Sequence, residues 1–147
     1  MLAKLFKGKG LRFYLEIGAG LIAIITSIIF FAMDRQLLGD NDSFQDISHF
    51  TLIFLIAGGL VAIADAFFPL PGLGIVSAVL FGCGIGNHLR LACYPLADIN
   101  EEVPFFTKDV NLAHAAVRLF ITFLVIFAIL AIAIVISNFL SPKKKEA

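Results

Sequence analysis

Four runs of the chain, at 13–33, 49–68, 72–94 and 112–140, are almost wholly apolar. Nothing else in the sequence constrains the fold as hard. A helix of about 20 residues rises roughly 30 Å, the thickness of a bilayer's hydrocarbon core. In hydrocarbon every backbone N–H and C=O must find a partner within the protein, and a single run of this length does so as a helix. The chain is therefore expected to be all-α, a single 147-residue membrane domain of four transmembrane helices with loops at 34–48 and 95–111. Composition agrees: 60% of residues are hydrophobic and 15% charged, too little polar surface for a soluble domain. The first run follows basic residues, as a cleaved signal would. Its apolar stretch is longer than a signal core, and Phe-Phe-Ala-Met-Asp at its end lacks a small-x-small cleavage site, so a true span is expected.

The flanks orient the spans, because Lys and Arg gather on the cytoplasmic side of a membrane. Lys4, Lys7, Lys9 and Arg12 lie at the start, and Lys143, Lys144 and Lys145 at the end, seven of the eleven basic residues. The loops at 34–48 and 95–111 hold eight of the eleven acidic ones. Both termini are thus expected in the cytoplasm, with the acidic loops outside, in a multi-pass protein of the plasma (inner) membrane. The link Pro-Leu-Pro-Gly at 69–72 is very short, and its prolines lack the N–H that would continue a helix. It makes the second and third helices antiparallel neighbours, so the expected topology is two antiparallel hairpins.

Apolar faces gain little in lipid by meeting one another, so helices approach through small side chains. Ala19, Ala23 and Ser27, then Gly58, Ala62 and Ala66, then Gly74, Ala78, Gly82 and Gly86 recur every four residues. They are expected to mark inward faces, or in part a dimerisation face. Gly-Leu-Ile-Ala-Ile at 20–24 faintly echoes Gly-Leu-Val-Ala-Ile at 59–63, on helices that run in opposite directions.

Within the third run, Asn87, His88 and Arg90 place an amide, an imidazole and a guanidinium among apolar neighbours. His88 precedes Pro95 by seven residues, roughly 10 Å below the outer interface. Arg118 lies at nearly the same depth in the fourth run, with His114 one turn above it, and His49 opens the second run. Ionisable side chains at depth are costly and turn toward the bundle or toward water. Asn87, His88, Arg90, His114 and Arg118 are therefore expected to form an outer-leaflet ligand site for a lipid phosphate or small carboxylate, with the two arginines as its fork. His88 points about 100° away from Asn87, so not all five can face one spot. The competing expectation is structural. The 95–111 loop folds down as a lid, Asp98, Glu101 or Glu102 neutralises the arginines, or the long side chains snorkel to the headgroups.

Near the inner end, Glu16 and Asp65 lie at similar depth on neighbouring helices, both on small-residue faces. Two close carboxylates ionise together only at a cost, and such a pair can carry a proton or cation. The simpler expectation is that Arg12, one turn before Glu16, pairs with one or both.

Other chemistry lacks its residues. Net charge is zero, which gives no electrostatic case for nucleic acid. Cys83 and Cys93 are ten residues apart on one helix, about 15 Å, too far for a disulfide. The three histidines show no i, i+4 pair and the chain has no Cys-x-x-Cys motif, so neither metal nor cofactor is expected. Ser27, Ser77 and Ser137 have no base or glycine elbow beside them.

The expected function is thus non-enzymatic. The chain reads as an accessory or scaffolding subunit that contacts membrane lipid and a membrane-protein partner or further copies of itself, with an outer-leaflet anion or lipid-headgroup pocket. The alternative is an oligomeric small-solute or proton- or cation-coupled transporter or channel using the polar groups at both levels. Between those levels the sequence offers just Thr26, Ser27, Ser77 and Thr122, which argues for the subunit. A lipid-directed enzyme would lack a nucleophile or metal beside its histidines.

Overall fold

The structure, a computed structural model, describes residues 10–38, 42–100 and 109–140. Four helices make up these segments: α1 (Leu11–Leu38), α2 (Asp42–Phe67), α3 (Leu73–Asn100) and α4 (Val110–Phe139). All are long and apolar enough to cross a membrane, over Leu11–Gln36, Ser48–Phe67, Leu73–Ile99 and Val110–Phe139. No strand occurs among the described residues.

The helices outrun the apolar runs that announce them. α1 continues past Met33 through Asp34 and Arg35, α2 begins at Asp42, and α3 runs through Pro95 to Asn100. The residues assigned to loops at 34–48 and 95–111 are therefore largely helical, apart from 39–41 and 101–108, which lie outside the described residues. Apolarity records depth in hydrocarbon, whereas a helix lasts until its backbone is capped or turned. Pro95 lacks an N–H and so leaves the Leu91 carbonyl without its usual helical donor, yet the proline is buried and the helix carries on. α4 starts where Asp109, in extended conformation, accepts from the N–H groups of Asn111 (2.9 Å) and Leu112 (3.4 Å). Between α2 and α3 the chain turns over residues 68–72. Leu70 N–H donates to the Phe68 carbonyl at 2.7 Å, and Gly72 has φ +98°, a conformation that disfavours any side chain.

Each helix packs on its neighbour in the chain, and α1 closes on α4. The buried positions alternate in steps of three and four. On α3 they include Ser77, Phe81, Gly84, His88, Leu91, Pro95 and Asp98, and on α4 Ala116, Phe120, Phe123, Phe127, Leu130, Ile134 and Ser137. That period of 3.5 is the seam of a left-handed bundle. Phe30, Leu55, Phe81, Phe120 and Phe127 fill its middle, all at 1% exposure or less.

The 3.5 period corrects the four-residue stripe expected on α3. Gly74 faces inward against Asn138, but Gly82 and Gly86 are exposed, with open space where a Cβ would stand. Steps of four advance about 40° per step on a helix, so by Gly86 the stripe has swung about 120° away from Gly74. On α1 and α2 the small residues do face inward. A Cβ on Gly20 would stand 2.6 Å from the Gly59 carbonyl oxygen and 2.8 Å from Ile63; a Cβ on Gly59 would stand 2.8 Å from the Gly20 oxygen and 3.0 Å from Ile24. The echoed pentapeptides thus meet each other, each glycine receiving the isoleucine four residues beyond its counterpart.

Candidate functional site

Three places in the interior hold ionisable side chains together with polar atoms that lack a hydrogen-bond partner among the described residues. The first lies beside the 68–72 link. Arg12, in the first turn of α1, sends Nε to Glu16 Oε1 and Nη2 to Asp65 Oδ2 on α2, both at 2.6 Å. Ser137 on α4 completes the knot: its hydroxyl lies 2.7 Å from the Ile134 carbonyl and 3.3 Å from Glu16 Oε1. Helix periodicity makes this possible, since Arg12 and Glu16 are one turn apart and Glu16 lies on the seam with Phe13 and Gly20. Glu16 and Asp65 do meet at one level, and Arg12 serves both. Two carboxylates against one guanidinium leave the group one negative charge in excess when all are ionised. Asp65 is 1% exposed, and its Oδ1 has no hydrogen-bond partner among the described residues. Arg12 also lines a cavity of about 550 Å³ whose other walls include Gly72, Gly74 and Asn138.

The second place is the core itself. His88 is 0% exposed, and its Nε2 donates to the Phe120 carbonyl on α4 at 2.7 Å. A carbonyl only accepts, so that partner assigns the ring proton to Nε2. Nδ1 faces no hydrogen-bond partner among the described residues. Three phenyl rings pack on the imidazole: Phe30 at 4.6 Å between centroids, Phe127 at 5.3 Å and Phe120 at 5.9 Å.

This placement separates the five residues expected to form one outer site. His88 points into the bundle. Asn87 is half-buried and donates from Nδ2 to the Cys83 carbonyl of its own helix at 3.2 Å. Arg90, His114 and Arg118 are exposed. Among the described residues no hydrogen bond or ion pair joins any two of the five. Directions 100° apart for successive helix positions account for this, since three polar residues in a stretch of four necessarily cover different faces. Asp98, expected in the lid, lies on the buried face of α3; Glu101 and Glu102 lie outside the described residues.

The third place falls within 34–48, a segment whose polarity suggests a loop. Asp34, about one turn before the end of α1, is 0% exposed, and neither carboxylate oxygen has a hydrogen-bond partner among the described residues. Ser48 of α2, the serine beside that carboxylate, is buried with its hydroxyl likewise unpartnered. Alongside, the Arg35 guanidinium stacks 5.1 Å over Phe31, and its Nη2 lies 3.4 Å from His49 Nε2. The signal for Asp34 is periodic: it follows Ser27 by seven residues, one full repeat of the seam. Among the described residues no three His, Cys, Asp or Glu side chains come together as metal ligands.

No protein-family model, curated protein or solved structure matches this chain.

Proposed function

We propose that this chain is a non-enzymatic integral membrane subunit, a rigid four-helix unit that scaffolds a membrane-protein partner or its own copies from its lipid-facing surface. Its helices form two antiparallel hairpins, with both termini in the cytoplasm of a cell whose plasma (inner) membrane it crosses. The short 68–72 link between packed helices and the basic residues at both ends support that topology. One observation carries the functional reading. Half of the described buried polar residues are spent on joining helices: Glu16, Asp65 and Ser137, with Arg12, tie α1, α2 and α4, Ser77 Oγ donates to the Gly58 carbonyl at 2.9 Å, and His88 ties α3 to α4. Between these ties the core is phenyl, aliphatic and closely packed. Thr26, half-buried, and Thr122, exposed, continue no polar path: they donate to the Ile22 and Arg118 carbonyls of their own helices. The exposed cation Arg118 faces the lipid headgroups of the outer leaflet.

Native mass spectrometry from mild detergent tests the assignment. The expected species is heavier than one chain, either a homo-oligomer or a complex with a stoichiometric membrane partner. A lone chain across gentle extraction conditions contradicts it.

A second reading, proton- or cation-coupled transport, is favoured by the excess carboxylate of the Arg12 knot and the unpartnered Oδ1 of Asp65. It requires ion flux through the packed Phe layer.

A further inference from the structure

We propose that the groove between α1 and α4 binds one anionic phospholipid, its phosphate held by Arg118 and Gln36 and an acyl chain lying along Met33, Leu119 and Phe123. α1 and α4 have no chain connection between them, and theirs is the sparsest of the four helix contacts. There the surface opens into a groove of about 510 Å³, lined by Arg118, Gln36, Met33, Leu119, Thr122 and Phe123 among others.

Polarity in the groove is graded along the bundle. Gln36 lies three residues beyond Met33 toward the outer end of α1, and Arg118 lies about one turn outward of Thr122 and Phe123 on α4. The mouth therefore carries a guanidinium and an amide, and the deeper part a thioether, a leucine and a phenyl ring. Thr122 spends its proton on the Arg118 carbonyl at 2.7 Å, which leaves Arg118 and Gln36 as the donors. Arg118 is eight residues into α4, roughly 12 Å from its start, and its side chain is long enough to reach outward toward headgroup depth.

The charge selects the occupant. Among the described residues no carboxylate lines the groove and none forms an ion pair with Arg118. A guanidinium near hydrocarbon is stabilised by an anion that presents two oxygens to its planar fork, as a phosphodiester does. A net-negative headgroup neutralises it, whereas a zwitterionic one brings its own cation. This inference rests on the outward orientation proposed above and is independent of the scaffolding role.

Native mass spectrometry with added lipid tests it. Wild-type protein in mild detergent is titrated with phosphatidylglycerol or phosphatidylcholine. The expected result is one retained phosphatidylglycerol per chain and little phosphatidylcholine. Arg118→Leu lowers that retention about tenfold, the scale of one charge-assisted contact, and Gln36→Leu lowers it less. Arg90→Leu, on a different helix, leaves it unchanged. Equal retention by Arg118→Leu and wild type overturns the proposal, as does equal retention of the two lipids or an equal loss in Arg90→Leu. The same spectra report oligomeric state, so a lone chain that still holds its lipid contradicts the scaffolding reading and not this one.

Discussion

Arg12 Nη2 lies 2.6 Å from Asp65 Oδ2, an ion pair that bridges α1 and α2 across 53 positions of sequence. The same guanidinium holds Glu16 at 2.6 Å, so one cation serves two carboxylates. Removing the cation strands both acids where water is scarce. Arg12→Leu is expected to destabilise the bundle by about 3–5 kcal/mol, the scale for breaking a buried pair from one side. Asp65→Asn removes the excess charge, keeps an acceptor for Arg12, and is expected to cost under about 1 kcal/mol. Unfolding in detergent, followed by circular dichroism, measures both. Equal losses in the two variants would contradict the charge balance described.

The crossing of Gly20 and Gly59 makes a steric prediction. A Cβ at Gly20 meets a backbone oxygen at 2.6 Å, and a backbone cannot step aside as a flexible side chain can. Gly20→Ala is expected to destabilise by about 1–3 kcal/mol, the range for overpacking. Gly18→Ala, two residues away with nothing within 4 Å of its Cβ position, is expected to be neutral or slightly stabilising. Similar melting shifts in both would show that α1 and α2 do not cross there.

These two features differ in how far the sequence revealed them. The Arg12–Glu16 pair was legible because i, i+4 spacing on a helix dictates proximity. The apolar runs revealed four spans for the same kind of reason, since length and apolarity map directly onto bilayer thickness. Direction around a helix was harder to read. When nearly every residue is apolar, the buried face shows little contrast with the lipid face. The seam is marked instead by the polar residues, Glu16, Ser27 and Asp34 on α1 and Ser77, His88 and Asp98 on α3, at separations close to multiples of 3.5. Read that way, His88 belongs inside and Arg90 outside, and Asp34 belongs to the helix. Four-residue glycine spacing misdirects at Gly82 and Gly86 because it drifts off that seam.

His88 is expected to act as a packing residue. His88→Leu loses the bond to the Phe120 carbonyl, which is still served by its own helix, and also removes the unpartnered Nδ1. The two effects oppose, and the net change is expected within about 1 kcal/mol. His88→Ala leaves a cavity among Phe30, Phe120 and Phe127 and is expected to cost about 2–4 kcal/mol. If leucine is as damaging as alanine in thermal unfolding, the imidazole does more than fill space.

Asp34 offers the opposite sign. Its carboxylate is buried without hydrogen-bond partners among the described residues, so the amide of Asp34→Asn, which carries no formal charge to bury, is expected to stabilise by about 1 kcal/mol or more. Chemical denaturation in detergent reads this directly. Destabilisation would mean that the neighbouring Ser48 hydroxyl and the His49 charge favour the carboxylate by more than its burial costs.

The polar groups that tie the helices to one another are expected to hold the bundle together and not to conduct. Ion flux from sealed liposomes, comparing wild type with Asp65→Asn under a proton or sodium gradient, tests that claim most directly. Leakage equal to that of protein-free liposomes is expected for both proteins. A gradient-driven flux through the wild type that Asp65→Asn abolishes would contradict it and establish transport in its place.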